Sequence, residues 1–339
     1  MELIDSIKLI APEAIELIEK RYLILRTIYY HQPIGRRALA NELDFGERIV
    51  RNEVNLLKKQ ELLEIQLNGM YLTENGKNLI NNLYDLNNKL KGIIELQEKL
   101  ETTLGIKKMI IVPGNSTESE STLKEMGKIT SRNIIDKIQP NDIVGITGGS
   151  TMANVADQMQ KLDKALDVLV IPARGGIGSD LETQANAIAA KIAHKLGVKY
   201  KLLNIPDSLG KEALEVVMKN DEIKESVDAV NNINILVFGI GRADTMANRR
   251  KLPIEKIDSL LDSGAVAEAF GHYFDINGNE IWEYETIGIS IDKYKNTRDV
   301  FGVAGGAEKA EAIIAISSLR KDITIITDES AAKKILELI

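Results

Sequence analysis

The 339-residue chain has no cysteine, a single tryptophan, three histidines and only 4% aromatic residues. Without thiols there is no disulfide framework and no thiolate metal site, a composition that fits a reducing cytoplasm. Nowhere do about 18 apolar residues follow one another, which removes a membrane-spanning helix. The start Met1-Glu2-Leu3-Ile4-Asp5 has no basic region ahead of an apolar stretch, so no secretory signal is expected. His31, His194 and His272 are too scattered to suggest a metal site, and His272, near Glu268, is the one to follow. There is no Walker A sequence and therefore no support for nucleotide hydrolysis. Gly239-x-Gly241-x-x-Asp244 falls short of a dinucleotide fingerprint, because Asp244 occupies the third glycine position. No cofactor is expected.

What is present is an ordinary globular composition, 44% apolar and 27% charged, long enough for two domains. The net charge of −7 is unevenly spread. Between Lys20 and Lys77 there are ten Lys and Arg against seven Asp and Glu, so one small basic segment sits on an otherwise acidic chain. Leading into it, Ile15, Ile18, Tyr22, Leu25 and Ile28 or Tyr29 recur at helical spacing over about Pro12 to Tyr30. A short helix is predicted from about Gly35 to Leu43, with Ala38, Leu39 and Leu43 inward, followed by a turn at Asp44-Phe45-Gly46. Asp44 is the candidate cap of a third helix, Glu47 to Lys59. Val50, Val54 and Leu57 share one face of it, leaving Arg48, Arg51, Asn52, Asn55 and Lys58 for the other, side chains of the kind that read base edges or hold phosphates. Two apolar runs joined by Asn68-Gly69 complete the order of a winged helix-turn-helix. A plain three-helix bundle with solvated charges is the alternative.

From Thr73 to about Gly105, Leu79, Leu83, Leu86, Leu90, Ile93, Leu100 and Leu104 fall on steps of four and three, with Gln97 the one polar residue on the seam. That spacing predicts about 40 Å of helix and favours a dimerising coiled coil, the alternative being that the stripe packs on its own domain. A dimer would require a two-fold repeat in its DNA site.

Beyond Ile106 the pattern changes to buried strands separated by helices: Lys108 to Val112, Ile143 to Ile146, Val168 to Ile171, Lys199 to Leu203, Ile235 to Gly239, Val300 to Val303 and Ile323 to Ile326. This is an α/β domain with a mostly parallel, Rossmann-like sheet, interrupted by one antiparallel hairpin at Asn277-Gly278. Ligands of such sheets collect at the carboxyl ends of the strands. Thr147-Gly148-Gly149-Ser150-Thr151, at the end of one strand and the start of a helix, combines glycine freedom, hydroxyl donors and unpaired helix N–H groups, an arrangement suited to phosphate. Ala304-Gly305-Gly306-Ala307-Glu308-Lys309 repeats the strand, Gly-Gly bend and helix, and could hold the same phosphate. Arg174, with Arg249 or Arg250, offers bidentate contacts to a second phosphate. Gln184 and Glu268 suit sugar hydroxyls, although Gln184 could lie on a solvated helix face and Glu268 could cap a helix.

Together TGGST (147–151), PARGG (172–176), GIGRADTMANRR (239–250), AEAFG (267–271) and AGGAEKAEAI (304–313) resemble the sugar-binding transcriptional regulators of the SorC and DeoR type, over the whole chain. The resemblance implies an effector domain related to sugar-phosphate isomerases and deaminases, and a repressor of glycolytic genes relieved by a phosphorylated sugar, fructose 1,6-bisphosphate foremost. It places the effector contacts on Gly148, Gly149, Ser150, Thr151, Arg174, Gln184, Arg249, Glu268 and Lys309; Ser150 stands where relatives carry threonine. No catalytic residue and no metal are implied. The expected organisation is a DNA-binding domain over 1–75, a linker and dimerisation helix over 76–105 and an effector domain over 106–339. Expected partners are operator DNA, a phosphosugar and the chain itself, as a homodimer or a tetramer on DNA, in the cytoplasm and not at a membrane. The rival reading is a sugar-phosphate isomerase or deaminase with an added DNA-binding domain, for which Glu268 is the candidate base.

Overall fold

A computed structural model describes residues 3–176, 180–206 and 215–339. The chain divides into two units, residues 1–96 with 119–121, and the remainder. In the first, helices α1 (Leu3–Ile10), α2 (Pro12–His31), α3 (Arg36–Glu42) and α4 (Glu47–Lys59) precede a hairpin of β1 (Leu63–Gln66) and β2 (Gly69–Leu72), then α5 (Glu74–Leu90). Tyr22, Leu25 and Ile28 of α2, Leu39 of α3, Val50, Val54 and Leu57 of α4, and Leu63, Met70 and Leu72 of the hairpin form one core. This is the predicted winged arrangement, with local differences. Asp44 does not cap α4: it adopts a left-handed conformation in the turn (φ 51°), and Gly46 is the N-cap, with no side-chain bond. Ala38 is exposed, because the seven-residue α3 turns only Leu39 and Ala40 fully inward. The wing turn lies at Leu67-Asn68, one residue early, since Gln66 pairs with Gly69.

The single long helix predicted through the linker is two helices. α5 ends at Leu90, Gly92 takes φ 67°, and α6 runs Ile93–Leu104. Leu79 and Leu83 pack on the N-terminal core, while Leu90, Ile93, Leu100 and Leu104 are buried within the single chain. The polar residue on the seam has its own task. Gln97 Oε1 accepts the Ile111 N–H at 2.9 Å and Glu101 Oε1 the Met109 N–H at 2.8 Å, so α6 satisfies the outer edge of strand β3 (Lys108–Val112). An unpaired edge would otherwise expose those donors.

The second unit is built on seven parallel strands in the order β3-β13-β12-β7-β4-β5-β6. They are β4 (Ile143–Ile146), which follows helix α7 (Glu120–Ile135), β5 (Leu169–Pro172), β6 (Lys199–Tyr200), β7 (Ile235–Gly239), β12 (Asp299–Val303) and β13 (Thr324–Asp328) beside β3. From β4 the order proceeds to β5 and β6 on one side; from β7 it proceeds to β12 and β13 on the other. The reversal between β4 and β7 opens a crevice beyond their carboxyl ends. A second, antiparallel sheet, β11-β10-β9-β8, was only half foreseen. Its strands β8 (Gly241–Arg242), β9 (Ala267–Ala269), β10 (His272–Phe274) and β11 (Glu280–Glu283) are too short for a clear alternation.

Asp328, at the end of β13, ties three loops together. Its Oδ2 accepts from Ser116 N (2.8 Å), Ser116 Oγ (2.5 Å) and Gly306 N (2.8 Å), and its Oδ1 from Ser330 Oγ and Ala331 N. Substituting Asp328→Ala strands buried donors and removes a helix N-cap, a cost of about 3 kcal/mol or more. Urea unfolding should show a lowered midpoint with an unchanged m-value.

Candidate functional site

The crevice at the β4/β7 reversal is lined by the turn after β4, by the segments around Arg174 and Gln184, by Phe238 to Gly241 with Thr245, Met246 and Arg249, by Glu268 to Phe270, and by Lys309. All nine residues singled out as effector contacts meet there, although they are drawn from six separate stretches of the chain.

The floor of the turn after β4 is set by its glycines. Gly149 has φ 118°, outside the range of an L side chain. Gly148 lies so close to the next loop that an added Cβ would sit 2.7 Å from Thr183 O. Gly149 N donates to that same carbonyl at 2.9 Å. Helix α8 (Ser150–Gln158) then begins with no side-chain cap, its first turn directed at the crevice and carrying the hydroxyls of Ser150 and Thr151. Thr147 serves the scaffold instead: its Oγ1 accepts the Gly239 N–H at 3.2 Å, joining β4 to β7.

The second Gly-Gly loop resembles the first in conformation but not in contacts. Gly306 has φ 95°, but its N–H is bound by Asp328, and from this loop only Lys309 lines the crevice. Burial holds the Lys309 ammonium below the ordinary lysine range, with Arg242 adding to the fall against the opposing pull of Glu308 and Asp244. A protonated Lys309 therefore lacks full compensation from its surroundings.

Arg249 and Arg250 separate cleanly. Arg249 lines the crevice and donates to Thr183 Oγ1 at 3.2 Å. Arg250 is directed into the protein, donating to Glu268 Oε1 at 3.0 Å and lying 4.7 Å from the Tyr284 ring. The same Glu268 oxygen accepts Gly271 N at 2.7 Å and faces Arg174 Nη1 at 3.5 Å. Burial alone would raise the Glu268 carboxyl, but Arg174, Arg250 and the Gly271 N–H outweigh it and keep it below its ordinary value. Glu268 is thus an ionised anchor in β9 rather than a helix cap. Gln184 is the N-cap of α9 (Ala185–Leu196) and so precedes the helix instead of lying on its solvated face. His272, close to Glu268 in sequence, is directed away from it: Tyr273 is the cross-strand partner of Glu268, and alternate residues of a strand face opposite sides.

Sequence reasoning passed over Thr183, which positions Arg249, and Phe270. The Phe270-Gly271 turn joining β9 to β10 has positive φ at both residues (57° and 94°), where asparagine and glycine are the usual occupants. A phenylalanine there costs on the order of 1 kcal/mol. Its ring packs 5.0 Å from Phe238 and 5.1 Å from Tyr294, contacts that offset the strain while placing an aromatic wall in the crevice. The only sequence signal was AEAFG itself.

Residues 88–337 match a family model described as a sugar-binding domain, and residues 17–86 match the CggR N-terminal DNA binding domain. The chain belongs to the SorC/DeoR-type sugar-binding transcriptional regulators. It is 38% identical over 335 residues to the central glycolytic genes regulator of Bacillus subtilis (strain 168), covering 99% of this chain and 98% of that one. A SorC family transcriptional regulator from Enterococcus faecalis, 33% identical, superposes with a TM-score of 0.68 over 71% of this chain and 99% of its own. The full-length sorbitol operon regulator SorC from Klebsiella pneumoniae shares the fold at 18% identity, with a TM-score of 0.66 over 94% of this chain and 98% of its own. A regulator of this family binds DNA and a sugar effector and is not an enzyme. The site agrees, since a carboxylate locked between two guanidiniums has little basicity left for proton abstraction. The isomerase reading is set aside. No helix among the described residues is long and apolar enough to cross a membrane.

Replacing Glu268 by Ala would take from the buried Arg174 and Arg250 the carboxylate they share, a loss of about 3–5 kcal/mol. Replacing the half-buried Arg249 should change stability by less than about 1 kcal/mol. Thermal unfolding of the two variants side by side tests the division between anchor and ligand contact.

Proposed function

We propose that the chain represses glycolytic genes and releases its operator when fructose 1,6-bisphosphate occupies the crevice. The observation that carries this reading is the charge balance of the crevice. Among the described residues Arg174, Arg249 and Lys309 line it beside an uncapped helix N-terminus, while the one carboxylate lining it, Glu268, is already paired with Arg250 behind it. Such a site favours a ligand with more than one anionic group. The hydroxyls of Ser150 and Thr151, the Gly148-Gly149 backbone and the Gln184 amide add the donors and acceptors that a phosphosugar needs. The likeness to the central glycolytic genes regulator supports the gene target.

Bound phosphate would raise the Lys309 pKa back from its depressed value. The sign follows: Lys309 contributes fully to affinity below its depressed free-state pKa, and the contribution is lost as pH rises from there through the ligand-bound pKa. Calorimetric titration with fructose 1,6-bisphosphate should show affinity falling on the alkaline side while the pH is still below the ordinary lysine value, a fall that Lys309→Arg moves upward. Equal affinity for the monophosphates, or a flat alkaline profile, would overturn the assignment.

On the DNA side, Arg48, Arg51, Asn52, Asn55 and Lys58 are all exposed along α4, opposite the buried Val50, Val54 and Leu57. We propose α4 as the recognition helix of a homo-oligomer, a dimer or a tetramer on DNA, acting on a two-fold operator. Leu79 and Leu83 of the leucine seam pack, partly buried, on the N-terminal core of their own chain. Arg51→Ala or Asn52→Ala should cost about 1–3 kcal/mol on operator DNA if the side chain reads a base. Gel shifts against random DNA separate the roles, because a residue that only holds phosphate weakens both equally.

A further inference from the structure

Outside the crevice, the β10–β11 hairpin carries a cluster that regulation by a sugar does not use. His272 of β10 stands directly opposite Glu283 of β11, and the register shift just beyond it brings Glu280 to the same side. His272 Nδ1 lies 3.1 Å from Glu280 Oε2, and His272 Nε2 lies 3.9 Å from Glu283 Oε1. One ligand atom from each of the three residues falls within 4.8 Å of the others. A second observation points to the same cluster. His272 is only 8% exposed, and its Nδ1 is a buried ring nitrogen without a hydrogen-bond partner. Glu280 is close enough but lies off the direction in which an N–H could donate. A buried polar atom of this kind carries a free-energy penalty unless something else satisfies it.

We propose that His272, Glu280 and Glu283 bind a divalent transition-metal cation, of which Zn2+ is the type. One imidazole and two carboxylates suit Zn2+ better than Mg2+, which prefers an oxygen shell and retains its waters. Three protein ligands leave a position for water. The ion would fasten β10 to β11 and satisfy the buried imidazole nitrogen. β10 also pairs with β9, the strand of Glu268, so the clamp braces the sheet that forms one wall of the crevice. The site is structural and independent of which sugar binds. No electron or group transfer is involved.

Trp282, the only tryptophan, lies between the two glutamates and provides the readout. Full-length protein, freed of metal by chelation, is titrated with Zn2+ and separately with Mg2+, following Trp282 emission and thermal unfolding. Expected are saturation at one Zn2+ per chain, a change in emission, a melting temperature that rises with Zn2+, and no response to Mg2+ at equal concentration. The Glu280 and Glu283 side chains are 43% and 57% exposed, so Glu280→Gln and Glu283→Gln should fold, as circular dichroism checks, yet lose at least about ten-fold in Zn2+ affinity. His272→Gln should lose as much. The proposal is overturned if Zn2+ leaves emission and melting unchanged, or if it binds equally well to the folded Glu280→Gln and Glu283→Gln variants.

Discussion

The carboxylate of Glu268, buried between Arg174 and Arg250, is the interaction on which the crevice depends. Arg174 comes from the loop after β5, Arg250 from the end of the helix Ala243–Arg249, and Glu268 from β9. Three segments far apart in sequence thus converge on one oxygen, which also accepts the N–H of the turn that places Phe270. Burying a charge is costly, and here the cost is met by two guanidiniums and a backbone donor. With those partners in place, the antiparallel sheet is registered against the end of the parallel one. The space left between them is the crevice.

The parallel strands and α4 were legible in the sequence because their signals are local. Runs such as Ile235 to Gly239 are apolar throughout, as a strand buried on both faces must be, and α4 shows its face in the spacing of Val50, Val54 and Leu57. Less legible were features that tertiary context decides. The leucine spacing around Gly92 carries no mark of whether a seam meets a partner chain or its own domain; in the fold, Gln97 and Glu101 are drawn to the edge of β3, and Gly92 breaks the helix. Strands of two or three residues, such as β8 and β9, hold too few alternations to announce themselves.

The site was legible in parts and in a different way. The turn after β4 could be read from glycines and hydroxyls alone, since Gly149 at positive φ is a backbone requirement that sequence records. The choice between Arg249 and Arg250 could not, because adjacent residues at a helix end diverge in direction, and only the position of Glu268 decides which of them turns inward. The likeness of the two Gly-Gly loops misled for the same reason. Composition shows the bend but not that Asp328 has claimed the Gly306 N–H.

The same arrangement suits the crevice of a sugar-binding regulator to holding an effector without transforming it. Proton transfer on a sugar needs a base that is free to accept a proton at the reacting carbon. Among the described residues the one carboxylate lining this crevice, Glu268, is held by Arg174 and Arg250, and protonating it would cost both ion pairs. The charged groups that line it besides Glu268, namely Arg174, Arg249 and Lys309, are donors, as are the first amides of α8. A crevice of donors built around a spent base stabilises an anionic ligand in its ground state, and for a regulator that is the useful outcome. Binding energy that an enzyme would apply to a transition state is available instead to favour one conformation of the chain over another, provided the ligand binds the two unequally.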